Sequence, residues 1–225
     1  MEHAPAAGSG WRLAGVGFVL AFVASLVASG ALATMSLYLP DASAAQLREY
    51  YTGSVAAVVT AAILQAVGAV CLAWFSVGLA RTLDPAAGPV ARRVRWAGWV
   101  SAAAFAASVV LSLLLVLIAD GAGNGTLKGL GRLTLACGGA LHLTGLGILV
   151  WFVSRSGLPA GFRPRWALLF GLVLAPLLAV SLVSIVVTPV TRLEPLWRLL
   201  SAIWVIALCV AGRRTATTES IRNAR

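Results

Sequence analysis

Of the chain's 225 residues, 60% are hydrophobic and 11% charged, against about 45–50% and 25% in an ordinary soluble domain. A 23.2 kDa globule has too little interior to hide that much apolar side chain, which excludes a soluble monomer, a disordered chain, a coiled coil and a disulfide scaffold. The net charge of +10 would suggest nucleic acid in a soluble protein, but here the basic residues fall between long apolar runs, where membrane orientation accounts for them.

A hydrocarbon core ~30 Å thick needs about 20 apolar residues of helix. Lipid offers backbone groups no partners, so each run is expected to be helical. The first run, 13–39, carries no charge, follows Arg12 and closes at Pro40-Asp41. Ala31-Leu32-Ala33 resembles a cleavage site, yet signal-peptide cores run only about 7–15 residues, so the segment reads as an uncleaved anchor. Gly17, Ala21, Ser25, Ser29 and Ala33 place a small residue at every fourth position. Such a stripe lets helices approach closely, within the chain or across a homodimer.

The loop after it, from Asp41 to Tyr51, reads as a short helix capped by Asp41 or Ser43. Leu47, Tyr50 and Tyr51 would share one face, with Arg48 and Glu49 on the other. Runs at 54–80 and 96–119 follow, ending at Arg81 and Asp120. The glycine-rich stretch 121–125 matches neither a Walker A nor a GxGxxG spacing and reads as a flexible turn. Asn124-Gly125-Thr126 is a glycosylation triplet, relevant only in a eukaryotic secretory pathway. The richness in Ala, Val, Gly and Arg points instead to a bacterial coding bias. The remaining runs are 133–153, 166–187, which Pro176 should kink, and 196–212, closed by Arg213-Arg214. The expectation is an all-α polytopic bundle of six transmembrane helices. Residues 1–212 form its single domain, and 213–225 a basic cytoplasmic tail.

Loops are short, so arginine and lysine set orientation. With the N-terminus inside, twelve basic residues are cytoplasmic (Arg12, Arg81, Arg92, Arg93, Arg95, Arg155, Arg163, Arg165, Arg213, Arg214, Arg222 and Arg225). Five are external: Arg48, Lys128, Arg132, Arg192 and Arg198. This gives both termini in the cytoplasm and a cell-membrane location. Trp11, Trp74, Trp96, Trp99, Trp151 and Trp166 fall near the inner span ends, as an aromatic belt would. The inner arginines would meet anionic lipid.

Strongly polar side chains inside apolar runs are the default places to look for function. Gln65 and His142 qualify. His142 could carry a proton, bind a metal or haem, or touch substrate. It could equally be interhelical glue bonded to Gln65, Thr144 or a carbonyl. The other histidine, His3, is in the tail, so no intramembrane bis-histidine haem can form in one chain. On the small faces of the fourth run, Ala136, Ala140 and Thr144 share one side and Gly138, His142 and Gly145 another. Carboxylates gather at the external span ends: Asp41, Glu49, Asp120 and Glu194, the last spaced i,i+4 from Arg198 for pairing. Glu49 and Asp120 are the candidate general acids, with Tyr50, Tyr51, Trp197 and Trp204 as a candidate aromatic wall. Cys71, Cys137 and Cys209 form no C-x-x-C and read as small core residues. No cofactor or metal is expected.

Two connections look alike. Trp74-Phe75, Arg81, Pro85, Ala87-Gly88 and Arg95-Trp96-Ala97 parallel Trp151-Phe152, Arg155, Pro159, Ala160-Gly161 and Arg165-Trp166-Ala167. Duplication, or shared demands for basic turns and tryptophan belts, would give this pattern. Together with the first outer loop (Asp41-Ala42-Ser43-Ala44-Ala45 through Tyr50-Tyr51), Gly78-Leu79-Ala80-Arg81, Gly157-Leu158-Pro159 and Pro164-Arg165-Trp166, these features carry a resemblance. The chain resembles a group of small multi-span actinobacterial membrane proteins with a domain of unknown function. That resemblance implies a six-helix bundle and brings no catalytic residues with it.

Three functions fit. One is a non-enzymatic accessory, scaffold or partner-binding bundle, favoured by the absence of mid-span acids. Another is a small intramembrane enzyme on a lipid or isoprenoid, such as a terpene cyclase. The last, a channel or small-solute carrier, needs a polar path past Gln65 and His142.

Overall fold

The computed structural model describes residues 10–36, 40–191 and 193–223, with side chains at all of these except 84–87, 188 and 211–223. His3, Arg192, the end of the first apolar run (37–39) and the side chains of the basic tail lie outside the described residues. The elements in chain order are α1 (Gly10–Leu32), α2 (Ala44–Gly53), α3 (Val55–Ile118), α4 (Asn124–Ala136), a π-helical turn (Cys137–Leu141), α5 (His142–Gly157), α6 (Arg165–Val180), a 3-10 turn (Ser181–Ile185), α7 (Thr188–Thr191) and α8 (Glu194–Asn223). There is no strand among the described residues. Six helical segments are long and apolar enough to cross a membrane: Gly10–Leu32, Val55–Leu83, Gly88–Ile118, Asn124–Gly157, Arg165–Ile185 and Pro189–Val210.

The two spans of α3 do not continue in line. Gly98 lies against Ser76 and Gly68 against Phe105, so the second span runs back beside the first. The bundle has an apolar core and, unlike a soluble protein, an apolar outer surface as well. Leu13, Leu20, Val27, Val70, Leu117 and Val173 face outward, Leu117 with 82% of its surface exposed. Ser25, Ser76, Ser101 and Ser154 are fully buried. Lipid is as apolar as leucine, so what holds such helices together is close approach and interhelical hydrogen bonds.

The small stripe on α1 is taken up in this way. A methyl group on Gly17 would come 3.1 Å from Cys71 Sγ, and Ala21 faces Gly68. Both small faces of the fourth span are used too. Gly138 and Gly145 press on Ser108 and Ser101, while the Ala140 carbonyl accepts from Ser181 Oγ at 3.1 Å and Thr144 Oγ1 lies 3.4 Å from the same hydroxyl.

Segment ends differ from the apolar runs where a polar contact intervenes. α1 stops at Leu32 rather than continuing to 39, because Thr34 N–H and Oγ1 bond Ser54 Oγ (3.1 and 2.9 Å) instead of continuing the helix. The third and fourth spans begin earlier than the uncharged runs. Arg92, Arg93, Arg95, Lys128 and Arg132 are exposed on helices, since charge limits burial in lipid without halting the helix. Helix α6 passes through Pro176 and tightens into a 3-10 turn only at Ser181.

The two connections that look alike in sequence differ in backbone. The first stays helical in backbone conformation, although Pro85 and Pro89 can donate no helical hydrogen bond; the second leaves the helix at Gly157 and turns through Gly161 at φ +73°, a conformation glycine adopts without strain. The two turns are neighbours nonetheless, with the Arg93 guanidinium 5.5 Å from the Phe152 ring. Trp74, Trp96, Trp99, Trp151 and Trp166 are exposed, as a belt requires. Trp11 is not. It is buried against Phe75 (5.8 Å between rings) and Gly78.

Candidate functional site

Polar side chains collect at the α2 end of the bundle, and α2 itself shows how that end is built. Ser43 caps it by accepting from Gln46 N–H (3.2 Å), while the Gln46 side chain accepts from Ser43 N–H (2.8 Å), a complete capping box. Leu47, Tyr50 and Tyr51 are buried on one face in a cluster with Val58, Leu115, Ala119 and Leu127. Burial pushes the Tyr50 phenol above its ordinary pKa. Arg48 sits at the edge of this face. Its guanidinium donates to Ala119 O (2.9 Å) and Ala122 O (2.7 Å), closing carbonyls left free where α3 ends. Glu49 and Asp120 are exposed.

His142 is 3% exposed, and its partner is neither Gln65 nor Thr144. Ser101 Oγ donates to the His142 carbonyl (2.9 Å), and His142 Nδ1 lies 2.9 Å from Ser101 Oγ and 3.2 Å from Ser101 O. With Ser101 Oγ donating, a neutral imidazole carrying its proton on Nδ1 satisfies both contacts. The ring stacks on Phe105 at 4.6 Å. Gly145 makes this possible: a methyl there would come 2.9 Å from Ser101 N. The arrangement fastens the third span to the fourth.

One turn before His142 the helix widens into the π turn Cys137–Leu141, a distortion frequent at functional sites. Arg198 reaches it from α8. Its Nη2 donates to Gly138 O at 2.8 Å and lies 3.5 Å from Glu194 Oε2, the i,i+4 pair expected from the sequence. Its position at a span end in the sequence would leave Glu194 in solvent. Instead it is 7% exposed, accepts from Ser184 Oγ at 2.8 Å, and lies against Gly139, where a side chain would collide with its carboxylate. Arg198 Nε is buried with no hydrogen-bond partner among the described residues. An unmet buried donor costs about 1–3 kcal/mol, so this arginine is only partly satisfied.

Arg198 lines a chamber of about 160 Å³ with Gln65, Ser29, Ser112, Tyr50 and Phe105. His142 does not line it, because Phe105 stands between the chamber and the imidazole. Among the described residues no carboxylate lines it either. Leu26, Ser29 and Tyr50 also border a vestibule of about 490 Å³ beside the end of α1, so these three side chains are walls common to the two spaces. Glu194 faces the other way, onto a cleft of about 610 Å³ that Asp41 and Arg132 also border.

The residues singled out in the sequence are thus divided. Gln65, Tyr50 and Tyr51 come together at the chamber. Trp197 and Trp204 belong to the main core, not to the tyrosine cluster. Glu49 and Asp120 border none of these three spaces. Arg198, which the sequence marked only as an external partner for Glu194, is the one charged side chain among the described residues that line the chamber. The paired glycines Gly138-Gly139 were the available signal, since they are what admits it. Among the described residues no group of three or more metal-ligating side chains occurs. No family model, curated protein or solved structure matches the chain.

Proposed function

We propose that this chain is a multi-pass protein of the bacterial cell membrane, with both termini cytoplasmic, acting as a non-enzymatic accessory or scaffold bundle. One observation carries the reading: no described carboxylate meets the interior chamber. Glu49 and Asp120 are exposed, and Glu194 is held by Ser184 and Arg198 on the side away from it. Carboxyl general acid chemistry needs that group within reach of the reacting atom, and the described lining of the chamber offers only hydroxyls, an amide and a guanidinium. A carrier's polar path past Gln65 would end at Phe105. Orientation rests on the arginine bias, and the inner arginines Arg81, Arg92, Arg93, Arg95, Arg155, Arg163 and Arg165 are all exposed. There each would gain about 1 kcal/mol from anionic headgroups. A homodimer or another membrane protein is the partner class this role needs.

Two measurements test this. Reporter domains fused after Gly53 and Gly88 should lie outside and inside respectively; the reverse result overturns the orientation. Lipid extracts of cells overproducing the chain should match those of cells overproducing a Glu49→Gln/Asp120→Asn variant. A new lipid or isoprenoid product that the variant abolishes would make the protein an enzyme.

A further inference from the structure

We propose that the Arg198 chamber is a carboxylate-binding site, taking the head of a single-chain carboxylic acid whose apolar tail occupies the vestibule beside α1. Among the described residues the chamber presents one charge, and it is positive: Arg198, with 21% of its side chain still open and Nη2 engaged by Gly138. Gln65 and Ser112 add polar walls, while Phe105 and Leu26 keep the surroundings apolar. In such surroundings a guanidinium hydrogen-bonds a carboxylate more strongly than it does in water.

Size and charge choose among anions. A volume of about 160 Å³ admits a carboxylate and a few methylenes but not a two-tailed lipid headgroup. The vestibule of about 490 Å³ adjoins the chamber across Leu26, Ser29 and Tyr50 and is also lined by Ala33 and Met35, which suits an alkyl tail; the proposal takes the tail across that shared wall. Glu194 lies 3.5 Å behind the guanidinium. It neutralises part of that charge and so disfavours a dianionic phosphate more than a monoanion. The bilayer supplies such acids, and they reach the α2 end from the outer leaflet if the N-terminus is inside. The chamber holds its ligand whether or not the bundle also docks a partner, so laurate binding and the accessory role fail separately.

The test uses the full chain in phosphatidylcholine nanodiscs with carboxyl-carbon-13 laurate, and dodecanol as the uncharged comparator. Saturable laurate binding is expected, with a shifted carboxyl resonance and at least tenfold preference over dodecanol. Arg198→Gln should weaken it tenfold or more. Ser29→Phe should block the doorway and abolish binding while leaving the melting midpoint within a few degrees. If Arg198→Gln is not monodisperse, Ser29→Phe decides alone. Non-saturable partitioning, equal binding of dodecanol, or unchanged laurate binding in Ser29→Phe would each overturn the proposal.

Discussion

His142 and Arg198 both bring strongly polar nitrogen into an apolar bundle, and both reach the same helical segment, within five residues of each other. Their surroundings differ in completeness. His142 has the Ser101 hydroxyl and carbonyl in range of Nδ1, is stacked on Phe105, and does not line the Arg198 chamber. Arg198 has a carbonyl at 2.8 Å, a carboxylate at 3.5 Å, an unmet Nε and an open chamber beside it. The first is what interhelical glue looks like, its Nδ1 and its carbonyl both held by one serine. The second keeps binding capacity in reserve, and a membrane interior rarely leaves a charge in that state without a use.

The contrast can be broken by mutation, and the largest effect should come from separating the ion pair. Arg198→Ala leaves Glu194 buried and unpaired, an imbalance that costs about 3–5 kcal/mol. A large fall in the thermal midpoint in detergent is expected, and Glu194→Leu/Arg198→Met should recover most of it. Arg48→Ala removes two charged hydrogen bonds that cap α3, for a loss of about 2 kcal/mol with laurate binding retained. His142→Leu should cost about 1 kcal/mol, near the upper range for interhelical hydrogen bonds in bilayers. A double-mutant cycle with Ser101→Ala should show coupling of the same order. Smallest of all, Glu49→Gln and Asp120→Asn should each stay within about 0.5 kcal/mol, since both side chains are exposed.

How much of this was legible beforehand follows from the range of the forces involved. The six spans were readable because run length and apolarity are local properties. So was α2, whose cap, Ser43, and buried face, Leu47, Tyr50 and Tyr51, all lie within nine residues. The end of α1 was not readable, because it depends on Thr34 finding Ser54, twenty residues on. His142 could be marked as polar and mid-span, but its partner lies 41 residues away, and a sequence carries no signal that ranks Ser101 above Gln65 or Thr144. Glu194 and Arg198 were readable as a pair and unreadable as a buried one. Their burial depends on the Gly138-Gly139 surface and the widened turn at Cys137–Leu141, which only packing reveals.

The difference between the two polar centres is measured most directly by cysteine accessibility. In a chain with Cys71, Cys137 and Cys209 replaced by alanine, Gln65→Cys, Ser112→Cys and Ser101→Cys would be exposed to a small anionic methanethiosulfonate from the α2 side. The account predicts modification at 65 and 112 and none at 101. Equal reactivity at Ser101→Cys, or inert cysteines at both chamber positions, would contradict it.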